Sequence, residues 1–421
     1  MKVIIVGAGI GGLTTALMLH QRGIRAEVYE QSPAVREVGV GINTLPHAIR
    51  ELAEIGLLPA LDNAGIRTRE LRYYNRQGQE VWRELRGIDA GHPVPQFSIH
   101  RGRLQKLIHD AVIARLGPQS VKTGLALAGF IQDEGGVTAH FTDSVRGGAG
   151  TTVRGDVLIC ADGIHSAARR LFYPDEGAPS WNGVVMWRGA TEWTPWRDGR
   201  TMAIGGGMGA KFVLYPIAEA ENGKQLMNWV VNIKMADGAK SPPPKESWSR
   251  IAQRALVLPY ASRFKIPDFD VSALVEATPM AFEYPMCDRN PLPRWTFGRV
   301  TLLGDAAHPM YPVGSNGASQ AILDARCLAD NLSRADHPCQ ALWAYEKERL
   351  PITAEVVRMN RKGGPERVID EVEKRAPAGF ANVEDVIHRA ELKAIVGGYA
   401  GKAGFATEAE RAEPERRAAN A

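Results

Sequence analysis

Gly7-x-Gly9-x-x-Gly12 and Glu30 stand near the start of the chain, and Gly304-Asp305-Ala306-Ala307-His308-Pro309 stands far downstream. The glycine cluster is suited to hold a pyrophosphate. Gly7 permits a tight turn, Gly9 leaves bare backbone for phosphate oxygens, and Gly12 lets a helix lie close to a strand. The helix N-terminus offers unpaired N–H groups and a partial positive charge. Glu30 lies about 20 residues on, where a carboxylate accepts hydrogen bonds from an adenosine ribose and disfavours a 2′-phosphate. Asp305 is a second carboxylate, able to accept two hydroxyl donors without a metal.

The elements that must position these groups are legible around them. Val3–Val6 reads as a strand, 11–22 as a helix with Leu13, Ala16, Leu17 and His20 on one side, and Ala26–Tyr29 as a second strand. A helix is expected over 98–117. Short strands and glycine turns fill 120–160, and Val157–Cys160 reads as a buried strand beside the first one. From 181 to about 285 the pattern becomes antiparallel, with strands at Val184–Thr191, Phe212–Ile217 and Leu226–Lys234 and a hairpin signal at Glu221-Asn222-Gly223-Lys224. A Pro-rich loop covers Ser241–Lys245. Arg299–Leu303 reads as a strand re-entering the first domain. From Ala318 to about 375 the spacing is helical, with Ile322, Ala325, Leu328, Ala329 and Leu332 on one face. The last fifteen or so residues lack large apolar groups and read as a solvated tail or frayed helix.

A length of 421 residues fits two interleaved domains, and 44% hydrophobic with 23% charged residues fits an ordinary soluble globule. A net charge of +4 argues for neither nucleic acid nor a membrane surface as partner. No apolar run is long enough to span a bilayer. Met1-Lys2 leads directly into a strand rather than a signal peptide, and Cys160, Cys287, Cys327 and Cys339 show no metal or CxxC spacing. A cytoplasmic protein with reduced thiols and no metal site is expected.

With Asp162-Gly163-x-x-Ser166-x-x-Arg169 between them, the two end motifs resemble those of the single-component FAD-dependent aromatic hydroxylases, the class A flavoprotein monooxygenases. The order and spacing of the three motifs cover almost the whole chain. Gly39–Asn43, Ser98–Gly102, Met186–Gly189 and Tyr311–Gln320 resemble the branch that acts on phenazine carboxylates. The resemblance implies an α/β fold of the para-hydroxybenzoate hydroxylase type. A Rossmann-like FAD-binding domain (1–180, with 295–375 returning to it) is interleaved with a mainly antiparallel substrate domain (181–294). A C-terminal helical segment and flexible tail (376–421) follow.

The resemblance also implies roles. One noncovalent FAD is held at both ends of the chain by Gly7, Gly9, Gly12, Glu30, Arg101, Gln105, Asp162 and Asp305, and by Gly317 and Ala318 at the start of a helix. NADH or NADPH docks transiently, because no second dinucleotide fingerprint is present. O₂ then gives a flavin C4a-hydroperoxide, which hydroxylates an electron-rich aromatic or N-heteroaromatic ring. Carbon dioxide is lost where a carboxylate sits at the attacked carbon. Pro312 and Gly314 border the reaction site, and Tyr215 faces the substrate. On their residues alone, Tyr215 and Trp229 fit core packing as well as a substrate wall, and Arg188 fits an ion pair as well as a carboxylate clamp. His47, His100 and His308 fit structural or flavin-lining roles. A flavin-dependent halogenase or FAD-linked reductase uses the same scaffold, but the tryptophan-type halogenase pattern is missing around Trp187. Monomer and homodimer both fit.

Overall fold

The computed structural model describes residues 1–37, 39–236 and 250–411. The Pro-rich stretch 241–245 and residues 412–421 of the expected tail lie outside them. In chain order the helices are α1 Ile10–Gln21, α2 Pro46–Glu54, α3 Leu58–Ala64, α4 Arg101–Leu116, α5 Ala167–Phe172, α6 Arg254–Ala261, α7 Val271–Ala277, α8 Gly317–Arg334, α9 Pro338–Arg361, α10 Arg367–Arg375 and α11 Arg389–Ala403.

Strands β1 (Lys2–Val6) and β2 (Arg25–Glu30) flank α1. Next come β3 (Gly41–Thr44), β4 (Gly65–Thr68), β5 (Glu70–Tyr74), β6 (Glu80–Leu85) and β7 (Gln96–His100). They are followed by β8 (Val121–Thr123), β9 (Leu125–Asp133), β10 (Gly136–Asp143), β11 (Ala149–Gly155) and β12 (Val157–Cys160). The remainder are β13 (Ser180–Trp193), β14 (Thr201–Gly205), β15 (Ala210–Glu219), β16 (Gln225–Lys234), β17 (Ala281–Asp288), β18 (Thr296–Phe297) and β19 (Val300–Leu302).

The nucleotide-type sheet has the order β18-β19-β12-β1-β2-β8, parallel except for the β18 edge. Strands β1 and β12, whose neighbourhood the sequence predicts, pair from Val3 with Val157 to Val6 with Cys160. Both are buried on both faces, which is why they read as continuous apolar runs. Helix α8 packs its predicted face of Ile322, Ala325, Leu328, Ala329 and Leu332 into this core.

The second large sheet runs β17-β13-β16-β15-β14-β5-β6. Its β15–β16 hairpin turns at Glu221–Gly223, where Asn222 takes a left-handed conformation. Three boundaries differ from the sequence reading. β5 and β6, within the stretch expected to belong to the FAD-binding domain, complete the second sheet, with β5 pairing parallel to β14. A short strand carries no mark of which sheet it joins when its partner lies far away in sequence. Residues 98–100 are strand, and α4 begins at Arg101, where His100 Nδ1 accepts the Arg103 amide as the helix cap. Helix α10, expected to return to the first domain, packs Val368, Ile369 and Val372 on the second sheet with Leu392 and Val396 of α11. Among the described residues no helix is long and apolar enough to cross a membrane.

The edge strand β8 is pinned by charge. Lys122 Nζ donates to Glu27 Oε2 at 3.0 Å and to the Tyr29 hydroxyl, which donates to Glu27 at 2.7 Å. Burial acts to raise the Glu27 carboxyl, but the Tyr29 and Lys122 hydrogen bonds and the charges of Lys122 and Lys2 outweigh it, and the group titrates at about 2. A depressed carboxylate contributes stability above its unfolded value near 4.5, and that contribution is lost as pH falls toward 2. Glu27→Gln is expected to destabilise the fold by up to about 3 kcal/mol at pH 7. The deficit should shrink steadily between pH 4.5 and 2. Denaturant melts of both proteins across that range check it; a deficit that stays constant would refute it.

Candidate functional site

The glycine turn forms as its residue types require. Gly7 has φ +100°, and a Cβ on Gly12 would lie 2.0 Å from the Gly7 carbonyl oxygen, so only glycine allows α1 this close to β1. Above Gly9 there is open space: a Cβ there would meet no atom within 4 Å. No side chain caps α1, so its first amides face that space. Glu30 braces the turn, accepting the Ala8 amide at 2.8 Å and the Ser32 amide at 2.8 Å. Each carboxylate oxygen retains a lone pair for a ribose hydroxyl. Gln105 donates to the Ala8 carbonyl at 2.7 Å. Its amide nitrogen therefore supports the turn from behind.

The downstream motif reaches this turn because β12 lies beside β1 and β19 beside β12, which brings the carboxyl ends of three parallel strands together. Arg169 fastens them. Its guanidinium is 1% exposed and donates to the carbonyls of Ala306 (3.1 Å), Ala307 (2.9 Å) and Asn290 (3.0 Å), with Glu176 as its counter-ion. Asp305 lies deep in the molecule, yet its side chain is open because it borders a cavity. Burial pushes its carboxyl up, against the pull of His308 and Arg101. Arg101 lines the same cavity. The Asp162 side chain does not: it accepts the Ala167 amide at 2.7 Å at the start of α5, and the neighbouring Ala161 and Gly163 border the cavity instead. Ser166 is the N-cap of α5, and the second Asp162 oxygen is buried without a partner.

The loop from Pro309 to Gly317 closes one side. Gly314 has φ +67°, and Ser315, at φ +57°, holds a conformation uncommon for a residue with a side chain. A Cβ on Gly314 would lie 2.5 Å from the Tyr399 hydroxyl. The crowding that requires glycine thus comes from α11, behind the loop. The Tyr399 hydroxyl accepts from Asn316 (2.9 Å) and donates to Asn360 (2.8 Å), which holds the Tyr311 carbonyl (2.9 Å). The chain of bonds continues from Asn316 through Gln320 and Arg349 to Asp324, whose other oxygen meets His308 Nε2 at 2.5 Å. Burial would raise Asp324, but His308 and Arg349 outweigh it and keep it ionised. Helix α8 starts at Gly317 with no side-chain cap, and Gly317 and Ala318 line the cavity. Nothing in the sequence reading assigned roles to Tyr399, Arg349 or Asp324.

The opposite wall is one face of the second sheet. Tyr215, Arg188, Val230 and Asn232 line it, and Pro312 faces them. Tyr215 is pushed up to about 12 by burial, opposed by Arg188, so it stays a hydrogen-bond donor at neutral pH. Burial lowers Arg188. The Asn228 amide accepts from Gly41 at 2.7 Å, and its own Nδ2 has no partner. Trp229 lies on the other face and is core, donating to Thr278 at 2.8 Å. His47 is neutral, held down to about 3 by burial. The cavity holds about 380 Å³. Gly9 with open space above it, the exposed Asp305 carboxylate and Gly317 at the uncapped start of α8 all line this one cavity.

Comparisons with known proteins agree. Residues 1–360 match the family model described as an FAD binding domain. The chain is 44% identical over 363 residues to the phenazine 1,6-dicarboxylic acid hydroxylase PhzS of Lysobacter antibioticus, covering 85% of this chain and 89% of that one. It is 29% identical to 3-hydroxybenzoate 6-hydroxylase 1 of Aquipseudomonas alcaligenes, covering 86% and 88%. Klebsiella pneumoniae HpxO, solved with FAD and uric acid, superposes with a TM-score of 0.74 over 96% of both chains at 24% identity. A salicylate hydroxylase substrate complex superposes with a TM-score of 0.72 at 21% identity, covering 97% and 98%. The chain that builds this two-ended cradle belongs to the FAD-binding family of flavin-dependent aromatic hydroxylases.

Proposed function

We propose that this enzyme hydroxylates a phenazine or related N-heteroaromatic carboxylate, with NADH or NADPH as reductant. The observation that carries this reading is a single cavity joining the FAD cradle to a sheet face where Arg188 offers a buried cation. A planar anionic ring fits between Arg188 and Tyr215 on one side and the Pro312 loop on the other. Arg188 binds the carboxylate, Tyr215 donates to a ring nitrogen or hydroxyl, and the Asn232 amide fixes orientation.

The chemistry that FAD supplies when bound is two-electron reduction by nicotinamide and activation of O₂ for transfer of one oxygen atom. The chain does the rest. The α1 amides, Arg101 and Glu30 hold the pyrophosphate and adenosine end, and Asp305 accepts the ribityl hydroxyls. The uncapped N-terminus of α8 stabilises negative charge at the pyrimidine edge. The Pro309–Gly317 loop, braced by Tyr399, excludes water from the ring being oxidised. The four cysteines are free, as suits a cytoplasmic enzyme supplied with reduced nicotinamide.

The test is NAD(P)H oxidation over a panel of aromatic carboxylates with product mass measured. Phenazine carboxylates should stimulate oxidation and give a product carrying one added oxygen, or an oxygen in place of a carboxylate. Stimulation by none of them would refute the reading.

Asp305→Ala is expected to weaken FAD binding roughly ten- to a hundredfold, the loss of a charge-assisted acceptor for hydroxyls. Flavin titration of the apoprotein measures this, and an unchanged dissociation constant would remove Asp305 from the cradle.

Tyr399→Phe leaves the Asn316 and Asn360 amides short of a partner, at about 1–3 kcal/mol. The loop should loosen while the cradle stays loaded, so NAD(P)H oxidation continues and more electrons appear as hydrogen peroxide. Peroxide and hydroxylated product measured in one reaction give the ratio. A wild-type ratio in the variant would show that α11 plays no part in keeping the site dry.

A further inference from the structure

The cavity does not end at the residues used above. Arg188, Val230, Val213, Ile204 and Tyr73 are register neighbours on five successive strands, β13, β16, β15, β14 and β5. All five line the cavity. Four strand spacings carry this row across about 19 Å, longer than one substituted ring. The far half is covered by Pro365 and Glu366, just before α10, and by Val396 of α11. These residues lie beyond residues 1–360, the stretch that the family model matches.

The lobe's middle is apolar and its end is polar. Gln96 is 2% exposed, its Oε1 has no partner, and its Nε2 meets only the Met202 sulfur at 3.8 Å. Arg86 Nε and Asn232 Oδ1 are also buried without partners, and both residues line the cavity. A buried polar group without a partner costs roughly 1–3 kcal/mol, which a ligand can recover. The charges are balanced already: Arg86 is paired with Glu84, and Lys211 with Glu366. A second anion placed here would be buried without a free counter-charge.

We infer that the distal lobe is a second recognition subsite, lined by Gln96, Arg86 and Tyr73, for a neutral hydrogen-bonding group at the far end of an elongated fused-ring substrate. This rests on the proposed hydroxylation of an aromatic carboxylate, whose anionic end occupies the Arg188 half. The enzyme therefore selects tricyclic over single-ring carboxylates, and a neutral distal hydroxyl over a second carboxylate.

The test is calorimetric binding to the oxidised FAD-loaded enzyme, which needs no turnover. The ligands are salicylate, phenazine-1-carboxylate, 6-hydroxyphenazine-1-carboxylate and phenazine-1,6-dicarboxylate. The hydroxy compound should bind about five- to tenfold more tightly than the unsubstituted tricycle, the worth of one recovered neutral hydrogen bond. The dicarboxylate should bind more weakly than the monocarboxylate, and salicylate most weakly. In Gln96→Leu the ratio between hydroxy and unsubstituted tricycle should collapse to near one. Val396→Trp narrows the lobe from the opposite wall, and should weaken the tricycles relative to salicylate. It provides the test should Gln96→Leu fail to retain FAD. Equal binding of hydroxy and plain tricycle, tightest binding of the dicarboxylate, or no binding by any tricycle would overturn the subsite. Ligands that bind in the expected order but yield no hydroxylated product support the subsite and overturn the hydroxylation reading alone.

Discussion

The Arg169 guanidinium is the interaction on which the rest of the site depends. Two segments from distant parts of the sequence must meet at the ends of β1, β12 and β19, and their backbone carbonyls point into a dry interior. Buried carbonyls need donors, and Arg169 supplies them to Ala306, Ala307 and Asn290 while Glu176 neutralises its charge. Lysine would offer a point charge without the fork that satisfies several acceptors at once. With the carbonyls fixed, Asp305 can be left open to the cavity although it is surrounded by protein.

A second buried network holds the opposite side. It runs from His308 through Asp324, Arg349, Gln320 and Asn316 to Tyr399. Its members come from the downstream motif, α8, α9 and α11. Consecutive members pair within hydrogen-bond distance, and His308 Nδ1, at the end of the chain, is buried without a partner. The network turns three helices and a strained loop into one rigid support. The loop carries left-handed conformations at Gly314 and Ser315, which persist only where the surroundings over-determine them.

The sequence made the first sheet legible because strands buried on both faces leave continuous apolar runs, and because glycine turns have steric requirements that few other residues meet. Gly7 takes the left-handed turn, Gly12 lets α1 lie against β1, Glu30 braces the turn, and Gly9 and Asp305 border the cavity. What escaped notice has physical reasons. β5 is buried on both faces in spite of Glu70 and Arg72, while β6 is mostly exposed, and neither pattern says which sheet the strand joins. The motif places Asp162 at the cofactor; one of its oxygens accepts the amide of Ala167 at the start of α5, and the other is buried without a partner. Tyr399 could not be found at all, since one tyrosine in a helix looks like any other until the packing shows a loop glycine beneath its hydroxyl.

The cradle's two halves also set an order of events during synthesis. Gly7 leaves the ribosome first, and Asp305 follows roughly 300 residues later, about 15–60 s at ordinary rates of elongation. During that interval the nascent chain can present a phosphate-binding turn but no ribityl acceptor. β1 can pair with β2 at once, yet its other edge waits for β12, and β12 waits for β19. An exposed edge of apolar parallel strand invites association with other chains. Cofactor capture is therefore a late event in the life of each molecule, and the long middle segment must fold beside an unfinished sheet.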